Sequence, residues 1–221
     1  MEIKRTLRTA CAALALFILY TFLVSTMDVR PAGPLDSEIG FAGLNLAARA
    51  AIGENHAWYA LTQILGLSLF LVPAAFAALG LRQLLQRGGI LRVDKRLFVL
   101  GGFYVLLGLC YILFEKLVIN YRPILQDGVL EASYPSSHTM LAVCIAASGV
   151  PQLRYYLARR GKAAPALCAV VVIVAAVVVV GRLLSGVHWL TDILGALLLS
   201  AALILFYRAA LLWAEDEDAK A

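Results

Sequence analysis

The sequence predicts an all-α, polytopic membrane bundle of six transmembrane helices with both termini in the cytoplasm. Three observations lead there. Apolar residues make up 62% of the chain, charged residues only 15%, and the mean hydropathy is +0.85; a water-soluble domain carries about 25% charged residues. The apolar runs are too many and too long for one soluble core, and about 20 such residues cross the hydrocarbon of a bilayer. The basic residues fall between the runs, with a density that alternates from one connection to the next. Lipid requires every spanning backbone group to be paired inside a helix or a closed barrel. Barrel strands would alternate over about 10 residues, so these Ala-, Leu- and Val-rich runs are helices.

The six segments cover about residues 9–27, 57–81, 97–114, 138–157, 164–180 and 189–213. The first follows a basic start of Lys4, Arg5 and Arg8. Its apolar part exceeds the 7–15 residues of a signal peptide, and no A-x-A-like site follows it, so it reads as an anchor. Pro151 marks a kink in the fourth. The fifth holds the Val-rich stretch 170–180, whose composition would suit a strand but which in lipid is a helix. No internal repeat is evident, and residues 1–221 read as one integral membrane domain.

Charge sets the orientation. With the N-terminus inside, the inner connections hold Lys4, Arg5, Arg8, Arg82, Arg87, Arg92, Lys95, Arg96, Arg154, Arg159, Arg160, Lys162, Arg208 and Lys220, which is 14 residues. The outer ones hold Arg30, Arg49, Lys116, Arg122 and Arg182, which is 5. This asymmetry favours cytoplasmic termini; the acidic tail Glu215-Asp216-Glu217-Asp218 weighs little in that rule. The net charge of +5 is therefore an orientation signal, and no nucleic-acid partner is expected. The longest outer connection, residues 28–56, opens on Arg30-Pro31-Ala32-Gly33-Pro34 and has helix-forming content over 44–52. It reads as a connector with a short interfacial helix rather than a lid. Cys11, Cys110, Cys144 and Cys168 lie in apolar runs without metal-ligand spacing, so they are small buried hydrophobes. No disulfide and no cysteine metal site is expected.

Three polar clusters interrupt the apolar pattern. They are Lys116 to Arg122-Pro123, Tyr134-Pro135-Ser136-Ser137-His138, and Gly181-Arg182 with His188 and Asp192. Ionisable groups at membrane depth are costly and mark function. In the six-helix topology all three fall at helix ends on the outer face, so residues some 75 positions apart can converge. His188 and Asp192 are spaced i, i+4 and would share one helix face. Asp192 can accept the proton of one imidazole nitrogen and leave the other free to attack. Ser136 and Ser137 precede an apolar run as a helix N-cap, and a helix N-terminus binds phosphate through free N–H groups and its dipole. His138, in that first turn, can protonate a leaving oxygen. Arg122 and Arg182 supply forked donors matched to phosphate, and Lys116 adds a compact positive charge. His56 belongs to no cluster.

These stretches resemble the type 2 phosphatidic acid phosphatase superfamily, whose three-part motif is K-x6-R-P, P-S-G-H and S-R-x5-H-x3-D. The resemblance implies a metal-free phosphohistidine mechanism with no cofactor: the histidine matching His188 attacks phosphorus, and the one matching His138 protonates the leaving group. Three positions depart from the motif. Lys116 and Arg122 have five residues between them, not six, and Glu115 occupies the lysine position. Ser137 replaces the glycine, and Gly181 replaces the serine before Arg182. The expected function is hydrolysis of a lipid phosphate or diphosphate of the phosphatidic acid, phosphatidylglycerol phosphate or undecaprenyl diphosphate type, at the outer leaflet of a bacterial inner membrane. Alternatives are a phosphotransferase using the same site, a vanadate-haloperoxidase-like chemistry, a family member made inactive by the Glu115/Lys116 shift, and a small non-catalytic transporter. Transporter sites lie near the midplane on broken helices, whereas these clusters sit at helix ends.

Overall fold

A computed structural model describes residues 1–158, 161 and 163–220, with the side chains of 218–220 excepted. Arg159, Arg160, Lys162 and the Lys220 and Asp218 side chains, which entered the charge pattern above, lie outside the described residues. Among the described residues there are eight α-helices: α1 (Glu2–Thr26), α2 (Ala42–Ile52), α3 (His56–Leu69), α4 (Leu71–Arg87), α5 (Lys95–Lys116), α6 (Ser137–Tyr156), α7 (Ala163–Leu184) and α8 (Leu190–Lys220). A two-residue antiparallel pair, β1 (Arg30–Pro31) and β2 (Glu38–Ile39), lies between α1 and α2.

Helices α1, α5, α7 and α8 and the combined α3–α4 segment are long and apolar enough to cross a membrane. The second expected span is thus two helices. Their junction is Phe70, and Pro73 follows two residues into α4. A proline there removes a backbone donor and crowds the carbonyl of Leu69. The fourth expected span, α6, fails the same test of apolarity for a physical reason: it is sheathed by protein. Half of its residues are buried, Thr139, Ser148 and Gln152 among them. Gln152 donates to the Tyr207 hydroxyl at 2.8 Å, and the Ser148 hydroxyl meets Tyr104 Oη at 3.3 Å. Helix formation runs on through Pro151.

The core lies around α6. Its neighbours are α7, α8, α3, α4 and α5, while α1 packs along α8 in the most extensive helix contact. Phe17, Tyr20 and Tyr134 cluster there, with Phe17 and Tyr134 stacked at 6.3 Å. Gly195 on α8 makes room for the Tyr134 ring, which any Cβ at that position would strike. The Tyr134 hydroxyl meets Thr21 Oγ1 at 2.8 Å.

Connections at one end of the bundle are tied down. The α1–α3 connection is held by Asn45, 1% exposed, whose amide donates to the Gly40 carbonyl and to Thr191 Oγ1 and accepts from Thr191 N–H. Its helical part, α2, matches the short helix expected over 44–52. The α5–α6 connection forms a hairpin. Arg122 N–H donates to the Glu131 carbonyl at 3.0 Å and Ser133 N–H to that of Asn120 at 2.9 Å, closed by Asp127-Gly128 with both residues at positive φ. Asp-Gly in that conformation suits a tight hairpin turn.

Candidate active site

The C-terminal end of α5, the start of α6, the end of α7 and the start of α8 meet at this tied end, and each brings one polar group inward. Ser136 is the N-cap of α6: its fully buried Oγ accepts from Thr139 N–H at 3.4 Å, and its own N–H donates to the Asp192 carbonyl at 3.1 Å. The first turn of α6 is therefore docked on the first turn of α8. Ser137 and His138 follow the cap, where N–H groups have no partner within the helix.

Asp192 is the third residue of α8. Its Oδ2 accepts from Trp189 N–H at 2.9 Å, closing the helix start from within, and lies 3.5 Å from His188 Nδ1. His188 itself lies two residues before α8, in the turn opened by Gly186 at φ +71. The sequence reading placed both residues on one helix face. The capping contact, not helical periodicity, brings the carboxylate back to the ring. The other ring nitrogen, Nε2, is 3.4 Å from Arg122 Nη1. His188 is 4% exposed and Asp192 fully buried. Burial, reinforced by Arg122 and Arg182, pushes the His188 imidazole well below its ordinary pKa, so the ring is neutral.

Arg182 is 1% exposed in the last turn of α7. Its Nη2 donates to Gln63 Oε1 at 2.8 Å, and its plane lies 5.2 Å from the Tyr59 ring. Its Nε and Nη1 have no hydrogen-bond partner, nor has His138 Nδ1. Arg122 pairs with Glu131 through Nε at 3.0 Å, without the alignment of a hydrogen bond. Both guanidinium groups and His188 lie within electrostatic range of His138. Two cations, two imidazoles and unspent donors thus face one another in a place largely closed to water.

Lys116 does not join them. It is exposed at the end of α5, whereas Glu115 lines the small cavity with Arg122, Ser137 and His188. One residue is about 100° of helix rotation, which turns the ammonium away and the carboxylate in. Gly181 has a steric reason: a Cβ there would lie 2.5 Å from Thr62 Cγ2 and 2.8 Å from Trp58 Cε3. Beyond His138, an apolar cavity of about 320 Å³ lies between α3 and α6, and another of about 500 Å³ lies between α4, α5 and α6. Sequence reading missed Gln63 and Glu131. Gln63 was detectable as an amide inside an apolar run; Glu131, in a connector, carried no signal. Among the described residues no group of three or more His, Cys, Asp or Glu side chains is placed to hold a metal ion.

The PAP2 superfamily model matches residues 97–215. The chain belongs to that superfamily. The matched region of this PAP2 chain holds all three clusters, and the helices before it complete the cage around Arg182. Among solved structures, the fold is similar to the crystal structure of the first transmembrane PAP2 type phosphatidylglycerolphosphate phosphatase from Bacillus subtilis. Identity is 20%, coverage 96% of both chains and the TM-score 0.55. No curated protein sequence matches at a significant level.

Proposed function

We propose that this PAP2 protein is an integral membrane phosphatase that removes phosphate from a lipid phosphate or diphosphate through a phosphohistidine on His188, without a metal. The orientation of His188 carries the reading. Asp192 faces Nδ1 and fixes the tautomer, which leaves Nε2 as a neutral nucleophile directed at the guanidinium of Arg122. In the first step Nε2 bonds to phosphorus, the P–O bond to the lipid breaks, and His138 gives its proton to the leaving oxygen. In the second, water attacks the phosphohistidine, its proton passes to His138, and phosphate leaves with His188 restored. Arg122, Arg182 and the N–H groups of Ser137 and His138 hold the charge on the equatorial oxygens, which is most of what phosphoryl transfer requires. The gap beside His188 measures about 10 Å³, about the room of one water, so the site widens to admit a phosphoryl group.

In this reading the chain has six spans, with α6 crossing inside its sheath, both termini in the cytoplasm and the site at the outer leaflet of a bacterial inner membrane. The basic-residue asymmetry supports this orientation. Candidate substrates are of the phosphatidic acid, phosphatidylglycerol phosphate and undecaprenyl diphosphate types. Lys116, in this reading, is a surface cation without a catalytic role. A phosphotransferase would use the same intermediate with an alcohol acceptor in place of water.

The test is phosphate release by the detergent-purified protein from a panel of these lipids in EDTA, with His188→Ala in parallel. Release by the wild type, none by the variant, and an acid-labile phosphoryl group trapped on His188 are the expected results. Equal release by both proteins, or none from any lipid, refutes the mechanism.

A further inference from the structure

One face of α5 is built differently from the rest of that helix. Leu97, Gly101, Tyr104, Gly108, Tyr111 and Glu115 follow one another at spacings of four, three, four, three and four, so they form one stripe. Each of them lines a cavity, and the cavities adjoin. Glu115 and Tyr111 line the gap beside His188. Tyr111, Gly108 and Tyr104 line the apolar cavity of about 500 Å³ that begins at His138. Tyr104, Gly101 and Leu97 line a further apolar cavity of about 420 Å³ that reaches Ile90 and Val93. Pro73 and Tyr104 line both large cavities, so the two adjoin there. The two glycines make the groove, because each lies opposite open space with no atom within 4 Å of an added Cβ.

Its length is informative. From Glu115 to Leu97 is 18 residues, or ~27 Å of helix rise. A bilayer's hydrocarbon is ~30 Å thick and one leaflet half of that. The groove therefore passes the midplane, and its inner chamber is out of reach of a chain that ends within the outer leaflet.

We infer that this stripe is a measuring groove for a single hydrocarbon chain longer than one leaflet, a polyprenyl tail, whose phosphate sits at His188. Gly101 and Gly108 are its specificity-determining residues. This rests on the phosphatase reading and narrows its substrate class. Bulk lipid settled in an ordinary crevice would show no preference for chain length.

Phosphate release from geranyl, farnesyl, geranylgeranyl and solanesyl monophosphates in detergent micelles tests it. Wild-type kcat/KM rises along the series. A leucine projecting into a filled groove acts as overpacking, so a fall of about 5- to 100-fold is expected where chain and side chain compete. Gly108→Leu imposes it from farnesyl upward, and Gly101→Leu on the longest chain alone. Gly102→Leu, on the neighbouring face with equally open surroundings, leaves the profile of the wild type. A flat wild-type series, or three variants that behave alike, overturns the groove. A second readout does not need turnover: a benzophenone at the far end of geranylgeranyl monophosphate should label the protein near Gly101 and that of geranyl monophosphate near Tyr111. Labels scattered over the outer helix faces refute the groove. If no substrate releases phosphate, the phosphatase reading fails, and the labelling pattern still decides whether a long chain occupies α5.

Discussion

Replacing Gly181 by serine would restore the residue its superfamily motif carries, and the structure predicts that this weakens the protein. The added Cβ would stand 2.5 Å from Thr62 Cγ2 and 2.8 Å from Trp58 Cε3, both well inside van der Waals contact. Neither neighbour can retreat cheaply. Thr62 is fully buried, with its hydroxyl bonded to the carbonyls of Trp58 at 2.8 Å and Tyr59 at 3.1 Å. Trp58 lies one turn before it on α3, and the next turn carries Gln63, the partner of Arg182. Overpacking of this kind costs roughly 1–3 kcal/mol, which for a chain of this size is a fall of about 2–10 °C in Tm. Thermal unfolding in detergent, followed by intrinsic tryptophan fluorescence, is the assay. A second substitution identifies the cause: Thr62→Ser keeps the hydroxyl and removes the offending methyl, so the double variant should regain part of the loss. An unchanged or raised Tm in Gly181→Ser, or no recovery in the double variant, would refute the steric account.

Asp192→Asn should leave the fold intact but disturb the tautomer of His188, lowering kcat by on the order of 10²–10⁴-fold with little change in KM; a loss seen only in KM would contradict an orienting role. The pH profile of kcat/KM should be bell-shaped, and because burial lowers the His188 pKa, its acidic limb should lie below the ordinary imidazole value. A limb at or above the ordinary imidazole value would contradict a neutral buried nucleophile. The sign for stability follows from the same shift: below about pH 6.5 the unfolded imidazole takes a proton that the folded one refuses. Stability should therefore decline as pH falls through that range, and midpoints that rise toward pH 5 in the wild type relative to His188→Ala would speak against it.

Much of this molecule was legible in its sequence because lipid leaves so few choices. Helices α1, α5, α7 and α8 lie where the apolar runs put them, with ends moved by a few residues. The three clusters stood out because charge is rare in such a chain, and the structure gathers Arg122, Ser136, Ser137, His138, Arg182, His188 and Asp192 at one end. What escaped was set by contact rather than composition. The break at Phe70 depends on where Pro73 falls within a turn. The proximity of His188 and Asp192 was anticipated from helical spacing and arises instead from a capping bond. Gln63 and Glu131 act through Arg182 and Arg122, so only the positions of those arginines reveal them.

The pairing of α1 with α8 bears on how the protein is made. The Tyr20 hydroxyl lies 3.4 Å from the carbonyl of Thr191, and Asn45 bonds the same residue, partners 171 and 146 positions apart. Helix α1 leaves the ribosome before α8 and must therefore wait in the bilayer for it. His188 and Asp192 are synthesised after both arginines, 66 and 70 positions beyond Arg122. Until then Arg122 and Arg182 have neither the imidazole nor the tied connections around them. Maturation of the site is thus a late event that follows insertion, and a chain stopped before α8 would leave its arginines in a half-built cage, open to membrane quality control.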